Sequence, residues 1–197
     1  MSESDIEKIQ SSIQQAVSII SDLEEFSDKI VQISDRIIQA ISDGNKVVLF
    51  GNGGSAADAQ HIAAELIGRY ALERKSYPAI SLTTDTSALT AIGNDYSYEE
   101  VFSRQCEGIV NKGDVVIGIS TSGNSINVKK GLETSKNKNA ITIGLLGNNG
   151  GSIKDVVDFE ITIGSSSTPR IQEGHRVIYH IICEIVEEKL YKKEKEK

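Results

Sequence analysis

The chain is poor in cysteine, with Cys106 and Cys183 the only two among 197 residues. Their number and separation match neither a disulfide framework nor a zinc knuckle. It lacks an excess of basic residues: the formal net charge is −7. That argues against a nucleic-acid groove or an anionic membrane surface as the main partner, so any phosphorylated ligand must be held by local dipoles and hydroxyls. The opening MSESDIEKIQ lacks the basic start and apolar core of a signal peptide, and no apolar run is long enough to span a bilayer. The expectation is a cytoplasmic protein of one domain, residues 1–197. Proline and glycine are missing from Asp5 to Asp43, while Ile6, Ile9, Ile13, Val17, Ile20 and then Ile30, Ile33, Ile37, Ile41 recur at helical spacing. This predicts a helical preface, residues 1–43, broken near Ser27. Its narrow isoleucine seam suits packing between subunits at least as well as cover for a sheet.

The stretch that organises the rest is Lys46 to Tyr70, KVVLFGNGGSAADAQHIAAELIGRY. A short apolar run rich in β-branched residues, a glycine cluster and an amphipathic segment predict strand, tight loop and helix. Ser55 stands where an N-cap belongs. The loop Gly51, Asn52, Gly53, Gly54 is expected to present backbone N–H groups to an anion beside the positive end of the helix dipole. On that helix Ala56, Ala59, Ile62, Ala63, Leu66 and Ile67 form the core stripe, with Asp58, His61, Glu65 and Arg69 opposite. His61 and Glu65, four apart, are placed to share a metal ion or a substrate hydroxyl; the alternative is a solvated face with an incidental ion pair.

Further strands are expected at Ala79 to Leu82, Asp114 to Ser120, Ala140 to Leu146 and within Val156 to Ile163. Their alternation with helices predicts a parallel sheet with its ligand crevice at the strands' carboxyl ends. Between the second and third strands two short helices are separated by a turn at Gly93, Asn94 and Asp95. After the third strand, Ser120, Thr121, Ser122 and Ser125 crowd the loop before a helix starting at about Ile126. One capping hydroxyl suffices for a helix, so the surplus suits an uncharged phosphate cradle. The last helix is capped by Thr168, with Pro169 first, and runs to about Tyr191, before a charged tail, residues 192–197. Its core stripe is Ile171, Val177, Ile178, Ile181, Ile182, Ile185 and Val186. Glu173, Arg176, His180 and Glu184 lie on the polar side and Gln172 at the edge. Gly174 inside this helix implies a close neighbour or a ligand.

A strand ending GNGGS, a strand ending ISTSGNS and a last helix opening TPRIQEGH together resemble the SIS sugar-phosphate isomerase domain, and within it the group that isomerises sedoheptulose 7-phosphate. The resemblance extends along nearly the whole chain. It implies a three-layer α/β sandwich, flavodoxin-like, with five parallel strands. It implies sugar-phosphate contacts from Asn52, Gly53, Gly54, Ser55, Asn94, Asp95, Ser120, Thr121, Ser122, Ser125 and Gln172. Glu65 and His180 correspond to the acid/base residues, and His61, Glu65, Gln172 and His180 to a zinc site. A homotetramer is implied as well, with no nicotinamide or flavin. Gln172 and His180 lie eight residues apart, about 12 Å along a helix, which favours sites shared between subunits, Glu65 from one chain and His180 from the next. Two other readings compete. Gly51, Gly53 and Ala56 fit the dinucleotide pattern G-x-G-x-x-A, but Lys75, Ser76 and Tyr77 stand where the ribose-binding carboxylate belongs, and Asp85 comes too late. A non-catalytic domain that senses a sugar phosphate or binds a protein would not need His61, Glu65 and His180.

Overall fold

The computed structural model describes residues 3–196. Five parallel strands, β1 Val47–Gly51, β2 Ala79–Ser81, β3 Val115–Ser120, β4 Ile141–Gly147 and β5 Phe159–Ile163, form one sheet in the order β2-β1-β3-β4-β5. β1 and β3 run side by side in register from Val47 opposite Val115 to Gly51 opposite Ile119. Both are buried along their whole length, as expected of parallel strands covered on both faces. Alternate residues feed two cores. Val47, Leu49, Val115, Ile117 and Ile119 join the one under α2 (Ser27–Ser42), α3 (Gly54–Ile67) and α7 (Thr168–Lys195). Val48, Phe50 and Val116 join the one under α5 (Ser103–Ile109) and α6 (Ile126–Asn137). The three-layer sandwich is therefore as read from the sequence. Cys106 and Cys183 are both free, each buried in a different core.

The preface forms α1 (Glu3–Asp22) and α2, joined by a 3-10 turn at Leu23–Phe26, so the break lies where expected. α2 buries its isoleucines, whereas Ile6, Ile9, Ile13, Val17 and Ile20 of α1 stay 42–59% exposed. Gly174 makes room for a neighbour: a Cβ there would strike Ile163, with Ile19 of α1 close behind.

Four local expectations need correction. Ser55 caps nothing, because α3 begins one residue earlier, at Gly54. Its cap is Gly53, whose φ of +55° suits glycine alone at low cost. No separate turn forms at Gly93, Asn94 and Asp95. The Asp85 side chain caps α4 (Thr86–Asp95) by accepting from the Ala88 N–H, and the helix runs through all three, ending when the Tyr96 N–H bonds to Ile92 O. At α7 the cap is Ser167, so Thr168 takes the first position and Pro169 the second, both in the turn whose N–H groups lack helical partners. That helix continues to Lys195, because Lys192, Lys193 and Lys195 complement the negative end of its dipole. Lys197, the end of the expected tail, lies outside the described residues.

Candidate active site

The glycine loop after β1 and the hydroxyl loop after β3 sit side by side where the strand order reverses, the position at which open α/β sheets bind ligands. They are tied together by Asn52 and Asn127, whose side-chain amides exchange hydrogen bonds of 2.9 and 3.0 Å. The Tyr98 hydroxyl donates to Asn52 Oδ1 at 3.0 Å and brings in the segment following α4. Asn94 and Asp95 are exposed at the end of α4 and bonded to each other. At the start of α3 the N–H groups of Ser55, Ala56 and Ala57 turn back onto Asn52 O and Gly53 O. The hydroxyl loop is richer. Ser120 Oγ lies 2.9 Å from Ser125 Oγ and 3.4 Å from Ser122 Oγ, while Ser125, at the N-cap of α6, spends no side-chain bond on capping. Gly123, at φ +67°, lets the loop pass against the backbone of Gly150 and Gly151, where a Cβ has no room.

Farther along α3 the polar face meets α7. His61 Nε2 is 2.9 Å from Glu65 Oε1, and one ligand atom each of His61, Glu65 and His180 lie within 4.8 Å of one another. Two imidazoles and a carboxylate, none of them fully buried, are a donor set that suits zinc. Rings crowd His180: His61 with centroids 5.1 Å away, Tyr179 4.8 Å and Tyr70 6.0 Å. Burial first, and then the neighbouring His61, hold the His180 imidazole below the usual histidine range, which favours its neutral form. Gln172 sits elsewhere. Its amide lies against Gly54, where a Cβ would collide with it, about two turns nearer the N-termini of both helices.

A family model described as SIS domain matches residues 11–147. The phosphoheptose isomerase of Geobacter sulfurreducens is 53% identical over 167 residues, 85% of this chain and 88% of that protein. That of Nitratiruptor sp. is 58% identical over 165 residues, 84% and 88% of the two chains. The chain belongs to the phosphoheptose isomerases of the SIS family. Among solved structures, a phosphoheptose isomerase from Neisseria gonorrhoeae superposes with TM-score 0.87 at 38% identity, covering 91% of this chain and 97% of the other. One from Francisella tularensis gives 0.91 at 30%, covering 95% and 100%. A Vibrio vulnificus NanR protein, complexed with ManNAc-6P, reaches 0.66 at 17% over 92% of this chain and 62% of its own, a likeness of fold alone.

Against the expected site, the structure makes two corrections: Gln172, expected among the zinc ligands, lies against Gly54 away from the His61, Glu65 and His180 cluster, and the sharing of a site between chains, read from helix spacing, is not required. Glu65 and His180 need not come from different chains, because α3 and α7 pack on each other over the same face of the sheet and one chain brings both together with His61. The structure also adds residues that the sequence did not single out. Asp58, placed by periodicity on the solvated face, is 2% exposed, and Tyr179 1%. Arg176 donates through Nη2 to Asp58 Oδ1 at 3.2 Å and through Nε to the Tyr179 hydroxyl at 3.1 Å. That hydroxyl reaches His61 Nδ1 at 3.1 Å. Burial, and then the Asp58 carboxylate, push the Tyr179 phenol up to about 12, so it stays protonated. A polar residue three or four positions from a proposed ligand, as Asp58 is from His61 and Arg176 from His180, is a signal in the sequence that could have found two members of this layer; Tyr179, next to His180, carries no such spacing. Conversely Ile67, assigned to the core, is 49% exposed at the end of α3.

Proposed function

We propose that the chain, working in the cytoplasm, interconverts sedoheptulose 7-phosphate and D-glycero-D-manno-heptose 7-phosphate through an enediol, the first step of ADP-heptose synthesis. The observation that carries this reading is the meeting in one chain of His61 and Glu65 of α3 with His180 of α7, α3 opening at the glycine loop that Asn52 and Asn127 tie to the hydroxyl loop. The phosphate is assigned to Ser55, Ser120, Thr121, Ser122 and Ser125, with Asn52, Gly53, Gly54, Asn94, Asp95 and Gln172 contacting the sugar. Glu65 side-chain atoms lie over the preceding turn of α3, about 10 Å from its N-terminus, a separation that suits the two ends of an extended seven-carbon sugar phosphate.

Isomerisation moves one proton from C1 to C2 and another from O1 to O2. The Glu65 carboxylate is assigned the carbon-bound proton, which it takes from C1 and returns to C2. His180, held toward its neutral form, can give a proton to one oxygen and accept one from the other. No hydride changes hands, so the chemistry calls for no nicotinamide or flavin. A zinc ion held by His61, Glu65 and His180 would polarise the substrate carbonyl. Following purified protein with sedoheptulose 7-phosphate by NMR tests the proposal: appearance of the aldose supports it, and tight binding without conversion would favour a sensing domain.

Two expected outcomes accompany it. Replacing both Ser55 and Ser122 by alanine should weaken calorimetric binding of the sugar phosphate about thirtyfold, at roughly 1 kcal/mol for each lost hydroxyl bond; unchanged affinity would move the phosphate elsewhere. We also propose a homotetramer, supported by the exposed apolar row of α1. Sedimentation equilibrium should give four times the chain mass of 21.3 kDa, and Ile9→Lys with Ile13→Lys should lower it.

A further inference from the structure

The layer beside the proposed zinc ligands is built so that its one mobile proton has two destinations. Around the Tyr179 hydroxyl, Arg176 Nε can only donate, at 3.1 Å, and Asp58 Oδ1, at 3.3 Å, can only accept. His61 Nδ1, at 3.1 Å, does either according to its tautomer. Tyr179 has one proton to give. On the opposite edge of the same ring, Nε2 faces a carboxylate oxygen of Glu65 at 2.9 Å. Two lone pairs cannot share that distance without something positive between them, either a proton or a cation.

For an uncharged imidazole beside a Glu65 carboxylate, these constraints leave one consistent arrangement for each case. With a proton between them, His61 Nε2–H donates to Glu65, so Nδ1 is bare and receives the Tyr179 O–H. With a cation between them, the proton on His61 resides on Nδ1 and is donated to the Tyr179 oxygen, whose own proton turns to Asp58. We infer that Asp58, Tyr179 and Arg176 are positioning residues that select the His61 tautomer, the Tyr179 hydroxyl reversing direction from His61 to Asp58 when a divalent cation replaces the proton between His61 and Glu65. This rests on the zinc reading of the site and adds to it a set of residues outside the proposed ligands. Arg176 sets a positive charge 3.2 Å from the Asp58 carboxylate and holds the hydroxyl in place. Asp58 and Tyr179 are both nearly excluded from water, which strengthens the hydrogen bond between them.

The test uses the whole chain, Zn2+ alone as probe, and nitrogen-15 NMR of the His61 ring. The metal-free chain should show the Nε2–H form and the zinc-loaded chain the Nδ1–H form. Tyr179→Phe removes a single oxygen from a buried ring. It should raise the zinc Kd by roughly ten- to a hundredfold, the usual cost of losing a partner behind a histidine ligand. Asp58→Asn offers a weaker acceptor to the same hydroxyl and should fall between parent and Tyr179→Phe, giving a second reading should the phenylalanine variant not fold. If the parent binds zinc and the folded variants bind it equally well, or if the His61 tautomer is the same in both states, the inference is wrong while the zinc site stands. A parent chain that binds no zinc overturns both.

Discussion

Glu65→Gln and His180→Gln should each reduce turnover of sedoheptulose 7-phosphate by at least about a hundredfold, the typical loss when an acid/base group is removed. The fold should survive, because both side chains stand off the core: they are intermediate in exposure, while Leu66 and Ile182 beside them are buried. Glutamine keeps the length and hydrogen-bonding of glutamate but cannot carry a carbon-bound proton. At His180 it removes the group that serves the two oxygens. The decisive experiment mixes the two inactive chains. One chain supplies His61, Glu65 and His180 to a single cluster, so every site in a mixed oligomer carries one lesion, and activity should stay as low as in either parent. Recovery toward a quarter of the sites, the share expected if random two-fold pairs contribute one residue each, would show that the catalytic pair spans two chains. A near-parental kcat in either single variant would remove that residue from the proposed mechanism.

The parts of this site legible in the sequence are those written into contiguous segments. The glycine loop and the hydroxyl loop each follow a strand and open a helix, and a parallel sheet places such loops together whatever lies between them in sequence. Polarity at helical spacing located His61 and Glu65 for the same reason, whereas His180 was one of four residues on the polar side of α7 until the family resemblance singled it out. It failed at Asp58, since periodicity sorts residues by polarity and cannot tell a solvated carboxylate from one buried against Arg176 and Tyr179, more than a hundred positions away. The pairing of Asn52 with Asn127 was hidden likewise, each looking like an ordinary loop or cap residue until the loops were side by side. The N-cap of α3 was misplaced because Ser55 has the right chemistry but the backbone turn falls at Gly53, where only positive φ completes it. Glu65 and His180 in one chain could not be read from spacing along α7 alone, since the distance that matters runs across to α3.

The largest stability effect is expected at Glu187, another long-range partnership that the sequence does not announce. Its side chain, 3% exposed, accepts from the backbone N–H groups of Tyr70, Ala71 and Leu72 at 2.8, 2.7 and 2.8 Å and from Arg74 Nε at 2.9 Å. Arg74, 1% exposed, lies 3.9 Å from the Tyr77 ring centroid and donates to Glu65 O and Leu66 O, closing the end of α3 beside the cluster of His61, Glu65 and His180. Glu187→Gln leaves that guanidinium buried without its counter-charge and should cost about 3–5 kcal/mol, lowering the melting temperature by on the order of 10 °C. Replacing both partners by apolar residues often rescues a buried pair, but Arg74→Met with Glu187→Leu should not, because three backbone N–H groups would remain without acceptors. Burial alone would raise the Glu187 carboxyl; the three N–H donors and Arg74 outweigh it and hold the group below the usual range. Its contribution is therefore complete above the unfolded carboxylate pKa of about 4.3 and is lost as pH falls through the lower folded value. The stability gap between parent and Glu187→Gln, measured by urea unfolding, should be widest near neutral pH and narrow as the solution is acidified. A gap that stays constant from neutral pH into the acid range, or a variant that melts with the parent, would show that the buried carboxylate is not what fixes the end of α3.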